Sequence, residues 1–210
     1  MFKEIIETLR QQRWDDHRYY HHSRINQFLH LISATSFLVA YVYLFIDPIV
    51  SAYIAWLISM TSRQIGHFVF EPKSYDEYNK ATQEYKEEIK IGYNLNRKRV
   101  LMSLFVLIPI LAYFDFAFMN YMVPDQNTET FLNRLGIGWF WLGISAILFR
   151  MIQLTIFQSF KVAFVWCLKI VTDPIHDLWI YRKSPYYLMR GELIDKDLKQ
   201  DYELEIGIKK

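Results

Sequence analysis

Six histidines, His17, His21, His22, His30, His67 and His176, are scattered along this chain. His22, Asn26 and His30 follow one another at intervals of four, which on an α-helix places them on one stripe. His67 and Glu71 are also four apart, just ahead of Pro72, a residue that ends helices. Three imidazoles and one carboxylate from two helices form a donor set suited to a divalent transition metal. Nitrogen and oxygen donors without thiolate favour Fe, Zn or Mn. The single cysteine, Cys167, rules out an internal disulfide and a cysteine-rich metal site. Histidines that merely sit at a membrane interface produce the same spacings, so from spacing alone both readings stand.

The segments that hold these residues are long and apolar. A bilayer crossing takes about 20 apolar residues. Residues 28–46 carry no formal charge, and Asp47-Pro48 breaks them from a second run reaching Phe70. A third run covers residues 100–123 and contains Pro109 and Asp115. A fourth begins near Leu135 and continues to about Leu168, interrupted by Arg150 and Lys161. It is too long for one straight crossing, so it is expected to cross and continue as a helix into the cytoplasm. Residues 71–99 carry seven Lys/Arg, the link between the third and fourth runs carries only Arg134, and the link between the first two carries none. Basic residues therefore alternate sides as the positive-inside rule requires for four spans with both termini cytoplasmic. The expected fold is an all-α integral membrane helical bundle, one domain over residues 1–210. Its parts are an interfacial N-terminal segment (1–27), spans one and two (28–70), a charged cytoplasmic loop (71–99), spans three and four (100–170) and a cytoplasmic tail (171–210). In that topology all six histidines lie near the cytoplasmic boundary. The first residues are charged and lack an apolar core, so no cleavable signal peptide is expected. A net charge of +2 gives no reason to expect a nucleic-acid partner.

The segment Tyr20-His21-His22-Ser23-Arg24-Ile25-Asn26-Gln27-Phe28-Leu29-His30 resembles the Y-H-H-x-x-x-N-x-x-x-H signature of the membrane 2-hydroxy fatty acid dioxygenases. Gln64-Ile65-Gly66-His67-Phe68-Val69-Phe70-Glu71 is similar to that family's second signature, G-H-x-x-F-E at the end of a span. The motifs cover about twenty residues, and no functional signature follows beyond about residue 90. The resemblance implies an Fe(II)-dependent, O2-consuming enzyme of fatty acid α-oxidation that removes C1 from a long-chain 2-hydroxy fatty acid. It places the protein in a bacterial inner membrane or the endoplasmic reticulum, with its active site facing the cytoplasm.

On that reading His22, His30 and His67 are metal ligands, and Glu71 is a carboxylate ligand or a partner to one. Asn26 orients a histidine or bonds bound oxygen, unless it makes an ordinary interhelical hydrogen bond. Arg150, an ionisable group inside a span, clamps the substrate carboxylate or else snorkels to the interface. His21, about 100° round a helix from His22, is expected to point elsewhere. His17 is expected at the solvated interface, and His176-Asp177 supplies a late ligand or caps a cytoplasmic helix. Residues 181–195 read as a basic-aromatic segment resting on lipid headgroups. A di-iron desaturase or hydroxylase would need more histidines and an H-x-x-H-H box. A transporter would gather its polar groups at the bilayer midplane. The remaining alternative is a non-enzymatic membrane scaffold or lipid-binding protein with structural histidines.

Overall fold

The computed structural model describes residues 2–77, 79–113 and 128–195, so Asp115, the end of the third apolar run and the residues that follow it up to 127 lie outside the described residues. The fold is all-helical; among the described residues the only β pairings are the isolated bridges Ser23–Ile194 and Asp76–Ala81.

Helix α1 (Phe2–Tyr20) stops short of the first histidine pair, and α2 (Arg24–Tyr43) starts afresh. Ser23 sets that start: its backbone is extended and its hydroxyl accepts from the Asn26 N–H at 3.4 Å. Asp47 does the same for the next helix, accepting from the Ile49 and Val50 N–H groups with Pro48 at the first turn. From there the chain stays helical through residue 70 as α3, built of an α segment (Pro48–Tyr53), a π segment (Ile54–Met60), an α segment (Thr61–Ile65) and a second π segment (Gly66–Phe70). Pro72 forces Glu71 into extended backbone and ends it. Then follow α4 (Gln83–Ile89), α5 (Leu95–Tyr113), α6 (Thr128–Phe157), α7 (Phe160–Tyr181) and α8 (Ser184–Met189).

The fourth apolar run departs from expectation. It is not one helix but two, broken at Gln158-Ser159, where Ser159 turns extended and caps α7 through the Val162 N–H. Helix α7 packs against α1, α2 and α6, which is what brings His176 and Asp177 to the other histidines.

Helices α2 (Arg24–Tyr43) and α6 (Thr128–Phe157) are each long and apolar enough to cross a membrane. Only 11% of the most apolar stretch of α6 is buried, and Leu148, Phe149, Ile152 and Ile156 face outward. The polar residues Asn26, Gln27, Ser33 and Ser59 are buried instead. Aromatic packing ties α3, α5 and α6: Phe105 stacks on Trp56 and Trp139 with ring centroids 5.2 and 4.8 Å apart. The Trp56 indole donates to the Trp139 carbonyl at 2.7 Å and the Trp139 indole to the Phe105 carbonyl at 3.1 Å. Gly136 lets α6 approach α3, since a methyl there would lie 2.4 Å from Ile49. With that end fastened by apolar contacts, the start of α2, the end of α3, the start of α5 and the end of α7 meet around a cavity at the other.

Candidate metal centre

Three imidazoles from three different places converge at that cavity. His21 lies in the α1–α2 break, His30 in the second turn of α2 and His67 in the final π segment of α3. Their rings lie 4.4 Å (His21–His30), 4.9 Å (His30–His67) and 5.3 Å (His21–His67) apart, and one nitrogen from each falls within 4.8 Å of the others. All three are buried.

The surroundings prepare these rings to act as ligands. His21 Nδ1–H donates to the Asp16 carbonyl at 3.1 Å, which leaves the Nε2 lone pair buried and without a hydrogen bond. His67 Nδ1 pairs with the Glu71 carboxylate at 2.5 Å, leaving Nε2 for a ligand. Neither nitrogen of His30 makes a hydrogen bond, although Asp177 Oδ2 lies 3.5 Å from Nδ1. A buried imidazole without a partner is costly, and one metal ion could serve all three rings at once. The donor set therefore fits a divalent transition metal.

His30 and His67 lie side by side, but His22 does not join them. Its Nε2–H donates to the Arg18 carbonyl at 2.6 Å and lies 3.7 Å from Asp76, away from the cavity. The i, i+4 stripe applies only to a continuous helix, and this chain breaks at residues 21–23, so His21 takes the place expected of His22. Ser23, a preferred helix-capping residue, was the sequence signal for that break. Glu71 is at the site but sits behind His67, orienting its ring, an arrangement typical of histidine ligands. Burial pushes its carboxyl up to about 8, against the pull of Lys90 and Lys98.

Asn26 is fully buried and does not line the cavity. Its Nδ2 donates to the Tyr20 carbonyl at 3.0 Å, while its Oδ1 occupies the space that any side chain on Gly66 would fill. It thus clamps the α1–α2 break against α3, one residue before His67. Arg150 is also elsewhere: it donates to the Ile91 carbonyl and to Gln153, pinning the 71–94 segment onto α6. The cations that do line the cavity are Arg63, Lys90, Lys98 and Lys169. Lys169 bridges Asp16 and Asp173 at 2.5 and 2.6 Å, and Arg63 pairs with Asp177. Burial alone would raise the Asp16 carboxyl, but Lys169 and Lys90 outweigh it and hold it well below its usual range. Lys98 is 8% exposed and, among the described residues, has no carboxylate within ion-pair distance. Nothing in its local sequence distinguishes it from the other basic residues of its loop.

Residues 181–195 also pack against the frame of the site. Tyr181 is buried against His17, Asp195 N–H donates to the His22 carbonyl at 2.7 Å, and Arg24 N–H donates to the Leu193 carbonyl at 2.9 Å. The Asp195 carboxylate accepts from Gln27 and pairs with Arg24, both at 2.7 Å. This segment straps the α1–α2 break and so holds His21 in place.

No family model, curated protein or solved structure matches the chain.

Proposed function

We propose that this protein is a membrane oxygenase that removes C1 from long-chain 2-hydroxy fatty acids, with Fe(II) held by His21, His30 and His67. The observation that carries this reading is the convergence of three buried imidazoles on a cavity of about 180 Å³ whose far walls, Phe37, Met60, Trp166 and Ile170, are apolar. The two sequence signatures meet at this one place.

Bound Fe(II) would supply O2 activation and two-point chelation of a 2-hydroxy acid at positions the three histidines leave open. Overall, R-CH(OH)-COOH and O2 give R-COOH, CO2 and water. The C1–C2 bond breaks, C2 becomes the new carboxyl carbon, and oxidation of the two carbons provides the four electrons that O2 accepts. No external reductant is needed. The residues around the site take the remaining tasks. Lys98, buried without a counter-ion, faces the substrate carboxylate, the role expected of Arg150. Glu71 fixes the His67 tautomer and the Asp16 carbonyl fixes that of His21. The apolar walls receive the alkyl chain and keep water from it.

In this reading α2, α3, α5 and α6 are the four spans, with both termini on the cytoplasmic side. Support comes from the Lys/Arg alternation and from an inside-out distribution, apolar residues facing outward and polar ones buried, which suits lipid surroundings. A scaffold or lipid-binding role gives no task to the His30 nitrogens and His21 Nε2, which make no hydrogen bond within the protein. The test is aerobic against anaerobic incubation of the iron-loaded protein with a labelled 2-hydroxy acid. The shortened acid should form only with oxygen; equal product without oxygen, or none under any metal condition, overturns the reading.

A further inference from the structure

A second group of donors adjoins the first. His17 on α1 and His176 and Asp177 on α7 each offer one ligand atom, and these lie within 4.8 Å of one another. The two groups are in direct contact: the His17 and His21 rings are 5.2 Å apart, the His17 and His176 rings also 5.2 Å, and Asp177 Oδ2 lies 3.5 Å from His30 Nδ1. His17, Asp177 and the histidines of the first triad all line one cavity. From this juxtaposition we propose that His17, His176 and Asp177 form a second divalent-metal position, with the Asp177 carboxylate bridging it to the first.

Asp177 is the residue that makes this more than two neighbouring clusters. Its carboxylate is the sole carboxylate in either triad, and it is within reach of both. A carboxylate with four lone-pair sites can serve two cations at once, and paired catalytic metals in proteins stand about 3.5–4 Å apart. The Tyr181 hydroxyl meets His17 Nδ1 at 2.5 Å and so holds the ring's orientation beside His176 and Asp177. This is the arrangement that Glu71 gives His67. In the metal-free protein Arg63 neutralises Asp177. Among the described residues, the cavity wall carries four basic side chains, Arg63, Lys90, Lys98 and Lys169, against Asp16, Asp173 and Asp177. The wall therefore has no spare negative charge, and the second ion binds more weakly than the first and gains from an anionic substrate between them. The position is independent of which reaction the first triad performs.

The test is a titration of the metal-free full chain, in detergent, with Mn(II), read by elemental analysis and by electron paramagnetic resonance. The expected result is two ions per chain in two unequal steps, with spin coupling on the second equivalent reducing the signal below that of two isolated ions. His176→Ala should bind one ion, and its signal should lack the coupling. A single ion per wild-type chain, two uncoupled ions, or an unchanged stoichiometry in His176→Ala overturns the second position. The coupling in the wild-type protein decides the matter even if the variant does not fold. One ion per chain with turnover of a 2-hydroxy acid would sink the second position and leave the oxygenase standing. Two coupled ions without turnover would do the reverse.

Discussion

His67 depends on the residue behind it. Glu71 lies 2.5 Å from Nδ1 and fixes the ring's orientation; with a metal on Nε2, Nδ1 would carry the proton and the Glu71 carboxylate would accept it. Replacing such a partner typically costs 10–100-fold in metal affinity. Glu71→Gln should fall in that range by competition against a metal-sensitive dye, and an unchanged affinity would mean that Glu71 has no orienting role. Lys98 and Arg150 are separated by a kinetic comparison. Lys98→Met should raise the apparent KM for a 2-hydroxy acid more than it lowers kcat, because it removes a group that binds the carboxylate throughout the reaction. Arg150→Ala should leave KM alone and lower the melting temperature, since Arg150 holds the Ile91 carbonyl rather than the substrate. If the two variants exchange these behaviours, the carboxylate lies against Arg150 after all.

At the scale of elements, the α1–α2 break decides which histidine enters the site. It is held by Asn26 from one side and by Asp195, Gln27 and Ser184 from the other, with Ser184 donating to Gln27 at 2.6 Å. The Asn26 side is tight. A methyl on Gly66 would fall 2.1 Å from Asn26 Oδ1, so Gly66→Ala must displace a fully buried side chain. Overpacking of this kind costs about 1–3 kcal/mol. The variant should melt at a lower temperature and bind metal more weakly, because the displaced strut sets the position of His21 relative to His67. A melt indistinguishable from wild type would show that α2 and α3 slide apart freely. The π segment that carries His67 belongs to the same design. Such segments shift the register of a helix locally and recur at functional sites.

For the molecule as a whole, the burial of ionisable groups makes stability depend on pH. Burial first, then the neighbouring histidines, hold His17 and His21 well below the ordinary value of 6.5. In the metal-free folded protein they stay neutral where the unfolded chain would protonate them. Below pH 6.5 the unfolded state therefore binds more protons, and stability falls as pH falls, by up to about 1.4 kcal/mol per pH unit for each histidine. Denaturation midpoints of the metal-free protein between pH 7.5 and 5.5 should decline, and added metal should offset the decline at the upper end, where protons compete least. A flat profile would mean that the cavity admits enough water to charge these rings. Topology is a separate matter: a reporter fused after Lys210 should be active on the cytoplasmic face, and activity only on the outer face would overturn the four-span arrangement.

The sequence by itself determined the helical class and the two apolar helices able to cross a membrane, because apolar run length and Ser, Asp and Pro punctuation act locally. It also put His67 and Glu71 within reach of one another, since only three residues separate them at the end of a helix, although the pairing forms with Glu71 extended beyond a π segment rather than across an α-helical turn. It could not choose between His21 and His22. That choice turns on whether the helix is continuous through residue 22, and tertiary contacts from Asn26, Gly66 and the 193–195 strap hold the break open. Nor could it place His17, His176 and Asp177 beside the site, about 160 residues apart along the chain, because their meeting depends on α7 folding back at Ser159 to pack against α1 and α2. The contrast between Lys98 and Arg150 has the same origin. A charge in a sequence shows no counter-ion, and only the packed structure shows that Arg150 is occupied by a backbone carbonyl while Lys98 faces the cavity without a carboxylate partner.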